Sequence, residues 1–184
     1  MSGHGERVNT TPDEISEMKI WNVEYKNFED YEVGSKLKSL GRTISEGECT
    51  WFNTWVLDIH PYAADETFAR KNRFGTRLVA GAMTFSIGLG LVQMNNPNLF
   101  SYGYDRLRFI NPVFPGDTIY SVRTVTDKEV RDDRLLIRFA YETFIVGEDG
   151  EKDRIAMSVE HQCFVGGESG EDRKPRQSEQ SKYA

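Results

Sequence analysis

Residues 78–94 read LVAGAMTFSIGLGLVQM, and they form the most apolar stretch of the chain. A helix on a protein surface carries a polar stripe, and this stretch shows none, so we expect a helix that is buried on every side. The sequence Asn95-Asn-Pro97-Asn ends it. Its most apolar part, Leu78–Val92, has 15 residues, which is short of the roughly 20 that cross a bilayer. The stretch therefore predicts the core helix of a globular domain.

The second half of the chain is rich in β-branched and aromatic residues, which favour strands. Four strands are predicted there, at Phe100–Ile110, Thr118–Thr126, Leu135–Val146 and Arg154–Val165. Short connections between consecutive strands imply an antiparallel sheet. One buried helix and such a sheet make a layered α+β domain in which the sheet wraps around the helix.

The segment before the core helix predicts one strand and two short helices. Leu37–Ile44 alternates between apolar and polar residues in the way of a strand. Ser45 and Glu48 match a capping box, which opens a helix that ends before Pro61. A second short amphipathic helix is expected to start at Asp65.

Composition limits the kind of partner. With 184 residues and 38% hydrophobic residues, the chain suits one globular domain. Its net charge of −6 argues against a nucleic-acid partner, because that affinity needs clustered Lys and Arg. The polar N-terminus resembles no signal peptide, so we expect a cytoplasmic protein that does not enter a membrane.

Two cysteines, Cys49 and Cys163, are expected as buried free thiols in a reducing compartment, and a single disulfide stays open as the alternative. The chain has no CxxC motif and three histidines, so we expect no structural metal site.

Three blocks of sequence carry a family resemblance. Residues 25–34 read YKNFEDYEVG and residues 40–46 read LGRTISE; residues 68–84 read FARKNRFGTRLVAGAMT; residues 102–118 read YGYDRLRFINPVFPGDT. In this order and spacing they resemble MaoC-like hydratases and dehydratases. The resemblance implies a hot-dog domain over residues 19–165, an antiparallel sheet wrapped around a central buried helix. The polar ends, residues 1–18 and 166–184, have little to bury, so we expect a flexible N-terminus and a disordered tail.

The resemblance also implies a reaction, the reversible addition of water to the 2,3 double bond of an acyl-CoA thioester. Coenzyme A would be part of the substrate, and no other cofactor or metal is implied, because the chemistry is acid–base only. The family's motif is Asp-x-Asn-Pro-x-His. This chain reads Asp58-Ile-His60-Pro61-Tyr62-Ala63, so His60 stands at the Asn position and Ala63 at the position of the catalytic histidine.

Three residues are candidates for catalysis. Asp58 is the one carboxylate in an apolar-aromatic stretch and could act as the base; the alternative is a carboxylate that accepts local backbone N–H groups. His60 lies three residues before the vacant position and could reach the same cavity; the alternative is a turn histidine without chemistry. Gly81 matches the family's oxyanion-hole glycine, and close packing is its alternative role.

Candidates for substrate binding are basic and aromatic. A basic cluster could hold coenzyme A phosphates or a carboxylate on the acyl chain, or could be a solvated face paired with Asp65 and Glu66. Its members are Arg70, Lys71, Arg73 and Arg77. The aromatic residues Trp51, Phe52, Trp55 and Tyr62 are expected in the core, where Trp55 and Tyr62 could also shape the acyl pocket. His161 alternates with Glu160 and Gln162 and is expected to be exposed or at an interface.

Two rivals to the hydratase stay open: a hot-dog thioesterase, which would need Asp58 but no histidine, and an acyl-CoA binder without catalysis. Fold alone does not choose among them. A lone hot-dog domain leaves a sheet edge unpaired. We therefore expect a homodimer or higher homo-oligomer with its cleft between subunits, as the resemblance also implies.

Overall fold

The computed structural model describes residues 25–93, 95–131, 134–148 and 151–166. The predicted flexible N-terminus and nearly all of the predicted tail lie outside these residues. The helices are α1 (Glu46–Val56), α2 (Pro61–Ala64), α3 (Glu66–Ala69) and α4 (Gly81–Val92). The strands are β1 (Lys36–Lys38), β2 (Arg42–Thr43), β3 (Leu99–Phe109), β4 (Thr118–Arg131), β5 (Arg134–Ile145) and β6 (Arg154–Val165).

The strands form one antiparallel sheet in the order β1-β4-β5-β6-β3, and β2 pairs with β4 beyond β1. Alternate residues of β4, β5 and β6 are buried, which is the pattern of a sheet with one covered face. The covered face carries the main cluster of buried apolar side chains, which includes Leu89 and Val92 of α4. The predicted α+β architecture, a sheet around a central helix, is confirmed.

The predicted strand at Leu37–Ile44 is two strands in the structure. Lys38 pairs with Val122, and Arg42 pairs with Ile119. The stretch from Lys38 to Arg42 therefore has one residue more than the stretch of β4 that it faces. Ser39 explains the break, because its hydroxyl accepts the Ser121 N–H at 3.0 Å in place of a backbone carbonyl. A bulge of this kind bends the strand and ends regular pairing.

The predicted capping box is confirmed at the start of α1. The Ser45 hydroxyl accepts from Glu48 N at 3.2 Å, and the Glu48 carboxylate accepts from Ser45 N at 2.9 Å. The helix ends at Leu57, which has a φ of 57°. That left-handed residue turns the chain sharply before Asp58.

Helix α4 is buried on one side only, so the prediction of burial on every side is wrong. Met83, Thr84, Gly88, Leu89 and Val92 are buried. Ala82, Ser86 and Gly90 are exposed, four residues apart along one stripe. The sheet covers one side of the helix, and no other described segment covers this stripe. The sequence was misleading here because Ala and Gly count as apolar residues, although they have little apolar surface to bury.

Helix α4 approaches the sheet closely at Gly88. A Cβ at this position would overlap the Thr143 hydroxyl and lie 3.2 Å from Met157 Cε. Thr143 is fully buried and shares a 2.9 Å hydrogen bond with the Ser121 hydroxyl. The glycine is therefore required by the spacing between helix and sheet.

The covered face of the sheet also carries buried polar side chains. Arg123, Tyr141, His161 and Cys163 are all under 10% exposed. The imidazole of His161 shares a 2.8 Å hydrogen bond with the Ser101 hydroxyl and stacks on the Tyr104 ring at 4.3 Å. Of the two expectations for His161, exposure is wrong, because the Tyr104 ring of β3 and the Tyr141 ring of β5 pack against its imidazole. Burial, together with the charge of Arg123, lowers the pKa of His161 to about 4.

Replacing Gly88 with Ala should lower the free energy of unfolding by about 1–3 kcal/mol, because the added methyl group overpacks the contact with Thr143. Gly90 is the matched control: it lies on the same helix, and nothing lies within 4 Å of the place that a Cβ would take there. Gly90→Ala should stabilise the protein by about 0.5–1 kcal/mol through helix propensity. Urea unfolding of both variants checks this, and equal effects of the two would contradict the close approach.

The stability of the protein should fall as the pH drops from about 6.5 toward 4, the ordinary and folded pKa values of His161. In this window the unfolded chain binds a proton that the folded chain excludes, which costs about 3 kcal/mol across the full range. His161→Gln should flatten this part of the curve of unfolding free energy against pH. A wild-type slope that survives in His161→Gln would rule out this cause.

Candidate functional site

Asp58 lies in the loop that connects α1 to α2 and is half-buried. Its backbone N–H donates to Asn53 O at 2.9 Å, and its Oδ1 accepts from His60 N at 3.1 Å. The local backbone bond anticipated as an alternative is thus present. It uses one carboxylate oxygen, and no donor among the described residues contacts the other.

His60 is exposed and caps α2. Its Nδ1 accepts from Tyr62 N at 3.4 Å, and its ring stacks on the Tyr62 ring at 5.6 Å. Within the described part of the chain the imidazole makes no hydrogen bond to the Asp58 carboxylate. A neutral imidazole whose Nδ1 accepts carries its proton on Nε2, so this ring offers a donor.

Asn53 joins both ends of the Asp58 loop, and sequence reasoning missed it. Its side chain is 6% exposed. Its Nδ2 donates to Ala63 O at 3.1 Å, while its backbone carbonyl accepts the Asp58 N–H. The signal was available: Asn53 follows Cys49 by four residues, so a helical reading places this polar residue on the buried side of α1.

Gly81 opens α4. Ala80, at the N-cap, has only a methyl side chain, so it caps none of the N–H groups in the first turn of α4. These groups and the helix dipole favour negative charge. A Cβ at Gly81 would lie 3.0 Å from the Phe109 ring, so close packing also favours glycine here.

A backbone hydrogen bond brings the two parts of the site together. Leu78 N donates to Tyr62 O at 2.9 Å, which fastens the segment that enters α4 to α2. Ala63 and Ala80 are buried on either side of this connection. The bond ties α2, which directly follows the loop of Asp58 and His60, to the segment that leads into α4.

The basic cluster is partly a set of structural ion pairs. Arg77 is ion-paired with Glu46 of α1 and with Glu66 of α3, and its side chain is 19% exposed. Arg70 pairs with Glu66 at 2.9 Å. Arg73 lies over the Phe74 ring at 4.5 Å and, within the described residues, has no acidic partner. The alternative of pairing with Glu66 thus applies to Arg70 and Arg77, and leaves Arg73 available to an anion.

The prediction that the aromatic residues of α1 lie in the core is wrong for two of them. Trp51 and Trp55 are 64% and 72% exposed, and their rings stack at 5.3 Å. They lie on the outer side of α1, because Cys49 and Asn53 occupy its inner side. Tyr62 is half-buried and packs edge-on against Phe68.

A groove of about 170 Å³ runs between α1 and α4. Its lining is mostly apolar, and the ion pair of Arg42 and Glu48 lies at its edge. The other lining residues are Trp51, Phe52, Met83, Ser86 and Ile87.

Cys49 and Cys163 are buried free thiols, as predicted. Burial raises the pKa of Cys163 to about 12, so its thiol stays protonated and is a poor nucleophile. In the parts of the chain that the structure describes, no three His, Cys, Asp or Glu side chains cluster as metal ligands would. No helix in those parts is long and apolar enough to cross a membrane.

Two curated proteins are similar to this chain in sequence. Protein MaoC from Klebsiella aerogenes is 37% identical over 112 residues, which are 59% of this chain and 33% of that protein. Mesaconyl-CoA hydratase from Cereibacter sphaeroides is 30% identical over 101 residues, 53% of this chain and 29% of the hydratase. The chain spans about a third of the length of these curated relatives.

Solved structures show the same fold. The monoamine oxidase regulatory protein from Archaeoglobus fulgidus superposes with a TM-score of 0.71 at 26% identity, over 82% of this chain and 100% of that one. An (R)-hydratase from A. caviae gives a TM-score of 0.60 at 25% identity, over 74% and 98% of the two chains. The family model of the MaoC-like domain matches residues 28–142. Because that match covers more than half of its length, the chain belongs to the MaoC-like domain family and has the hot-dog fold.

Proposed function

We propose that this chain is an enoyl-CoA hydratase or 3-hydroxyacyl-CoA dehydratase, which adds water to or removes it from an acyl-CoA thioester. The observation that carries the proposal is the Tyr62–Leu78 hydrogen bond, which ties α2, directly after the Asp58 loop, to the segment that leads into the N-terminus of α4. A carboxylate base and N–H donors for a developing oxyanion are the two parts that hydration requires. The named hydratases among the relatives support the same class of reaction.

In the proposed reaction the Asp58 carboxylate takes a proton from water as the water oxygen attacks C3 of the enoyl thioester. The electron pair of the double bond moves toward the thioester oxygen, where the N–H groups at Gly81 stabilise the enolate. The protonated Asp58 then returns its proton to C2, which completes the 3-hydroxyacyl thioester and restores the carboxylate. His60 would assist as a hydrogen-bond donor through Nε2, since its Nδ1 accepts from Tyr62 N.

Substrate binding would use the groups that the structure leaves accessible. Arg73 is assigned to a phosphate of coenzyme A, whereas Arg70 and Arg77 would contribute charge near it while paired with Glu66. Tyr62 would border the reacting end of the acyl chain. The groove between α1 and α4 beside the Trp51–Trp55 pair is an apolar surface of suitable character for the chain itself.

A specific observation favours a second candidate, a thioesterase. Ala63 is buried and has no group that could act as a base. Hydrolysis of the thioester could proceed with Asp58 alone directing water to the carbonyl carbon. A binder without catalysis would need neither group.

The assembly is proposed to be at least a homodimer. Strand β3 lies at the edge of the sheet and pairs with β6 alone among the described strands. It exposes Phe100, Tyr102 and Phe109. An unpaired edge with exposed aromatic side chains is a surface that natural proteins cover. A second copy of the chain would cover it and complete the cleft.

Asp58→Asn should lower hydration of crotonyl-CoA by about 10²–10⁴-fold, the usual contribution of a positioned base. His60→Ala should lower it by a smaller factor, since the ring acts as a donor. Loss of the enoyl absorbance and release of free thiol are recorded together. The matched control is Asp65→Asn, which makes the same change at the N-cap of α3, where Asn caps as well as Asp.

Three outcomes separate the candidates. Loss of enoyl absorbance without thiol release supports the hydratase, and thiol release that depends on Asp58 supports the thioesterase. Tight binding with neither reaction, over a panel that includes mesaconyl-CoA, would contradict both enzymes.

Light scattering should give a mass at least twice the 21.1 kDa of one chain. Phe100→Lys places a charge on the β3 edge and should shift the protein toward monomer. Val130→Lys is the control, because Val130 has the same 67% exposure but lies on β4. A wild-type monomer at micromolar concentration would overturn the proposed assembly.

A further inference from the structure

The groove between α1 and α4 is built from one side of each helix. Residues three and four apart lie on the same side of a helix. The lining residues have this spacing on both helices: Glu48, Trp51 and Phe52 on α1, and Met83, Ser86 and Ile87 on α4. Met83 is 4% exposed and lies at the bottom of the groove, whereas Trp51 and Ser86 are exposed and form its rims. The groove is therefore open to solvent along one side.

One end of the groove lies close to the candidate site. Met83 follows Gly81 by two residues in the first turn of α4. At 1.5 Å of rise per residue, its Cα lies about 3 Å further along the helix axis. The N–H groups at Gly81 are the ones assigned to the thioester oxygen. An acyl chain whose thioester is held there thus has the groove directly beside it.

The ion pair of Arg42 and Glu48 lies at the other end. Glu48 is eight residues before Val56, where α1 ends and the chain continues to Asp58, so about 12 Å of helix separates it from that end. The Glu48 carboxylate is held in place, because it accepts from the backbone N–H and from the hydroxyl of Ser45, both at 2.9 Å, and from Arg42. A hydrocarbon chain could displace this pair only by breaking the capping box, and burying the charges beside it would be unfavourable.

The size of the groove limits the length of a chain that fits in it. Its volume is about 170 Å³. A methylene group is about as large as a water molecule in the liquid, roughly 30 Å³, so about six carbons fill the groove. Carbons 1–3 of the substrate would lie at Asp58 and Gly81, and the chain would enter the groove from carbon 4 onward. A chain of about eight to ten carbons would then reach the ion pair.

We propose that this groove holds the acyl chain and that the Arg42–Glu48 pair closes its far end, so that the substrates are linear thioesters of up to about ten carbons. The inference rests on the proposed hydratase function for the position of the thioester. The lining is suited to hydrocarbon, since the Ser86 hydroxyl already donates to Ala82 O at 2.9 Å. A carboxylate at the end of the chain is not expected, because Arg42 is already paired with Glu48.

The test measures Kd by calorimetry for saturated acyl-CoA thioesters from C4 to C12, below their micelle concentrations. These ligands lack the 2,3 double bond, so that binding is recorded without reaction. Because the groove is open along one side, about half of each methylene is buried, and two added carbons should lower Kd about fourfold. The decrease should stop at about ten carbons. In Arg42→Ala, which leaves the Ser45–Glu48 capping box in place, it should continue to C12.

Ser86→Trp should fill the groove from its rim. The Kd of decanoyl-CoA should then rise about 60-fold, to that of butyryl-CoA, because three steps of about fourfold are lost. The matched control is Gly90→Trp, one turn further along the same exposed stripe of α4. Gly90 does not line the groove, and nothing lies within 4 Å of the place that a Cβ would take there. This variant should bind every thioester as the wild type does.

Each part of the proposal has an outcome that overturns it. A wild-type Kd that does not change with chain length, or a dependence that survives in Ser86→Trp, would contradict the acyl groove. A limit that stays at ten carbons in Arg42→Ala would contradict the role of the ion pair. If Ser86→Trp lowers the mass in light scattering and leaves Kd unchanged, the groove is an interface between copies and the proposal fails.

The same series separates this proposal from the hydratase function. A wild type that binds with the expected chain-length dependence and hydrates no enoyl-CoA would overturn the hydratase function and leave the acyl groove standing. A wild type that binds no acyl-CoA would overturn both.

Discussion

The close approach of α4 to the sheet at Gly88 is the constraint on which the site depends. Thr143 and Ser121 share a hydrogen bond below this glycine, and any side chain at position 88 would push the helix outward. Because α4 is rigid, its depth at Gly88 also sets the position of its N-terminus at Gly81. The Tyr62–Leu78 hydrogen bond then fixes the Asp58 loop relative to that end. Packing in the core thus positions groups that lie nearly two turns away.

Features that depend on residues close together in the chain could be predicted well from the sequence. Which segments of the fold cover a given residue could not. The capping box at Ser45 and the strand Arg154–Val165 follow from short-range rules and have the predicted form. The exposed stripe of α4, the outward Trp51 and the buried His161 depend on which segments lie above them. Periodicity identifies a face but does not say what covers it. In the proposed homodimer, a second copy would cover part of the surface that is exposed in one chain.

In the candidate site, too, local sequence motifs could be predicted and contacts between distant segments could not. The motif comparison named Asp58 and Gly81 as candidates. Tyr62, four residues after Asp58, is bonded to Leu78, three residues before Gly81. It could not show that Arg77 is engaged by Glu46 and Glu66, because these partners come from two different helices. Asn53 was missed for a related reason: its role rests on a contact with Ala63, ten residues away, and on a loop shape set by the left-handed turn at Leu57.

The loss of the motif histidine changes which groups can titrate in the proposed reaction. With Ala63 in place of the imidazole, Asp58 is the group to which we assign proton transfer from water. The Asn53 amide holds the Asp58 loop through its bond to Ala63 O. An amide also keeps its hydrogen bond at every pH at which the protein is folded. The proposed site therefore depends on Asp58 for proton transfer and on Asn53 for the support of the loop that carries it.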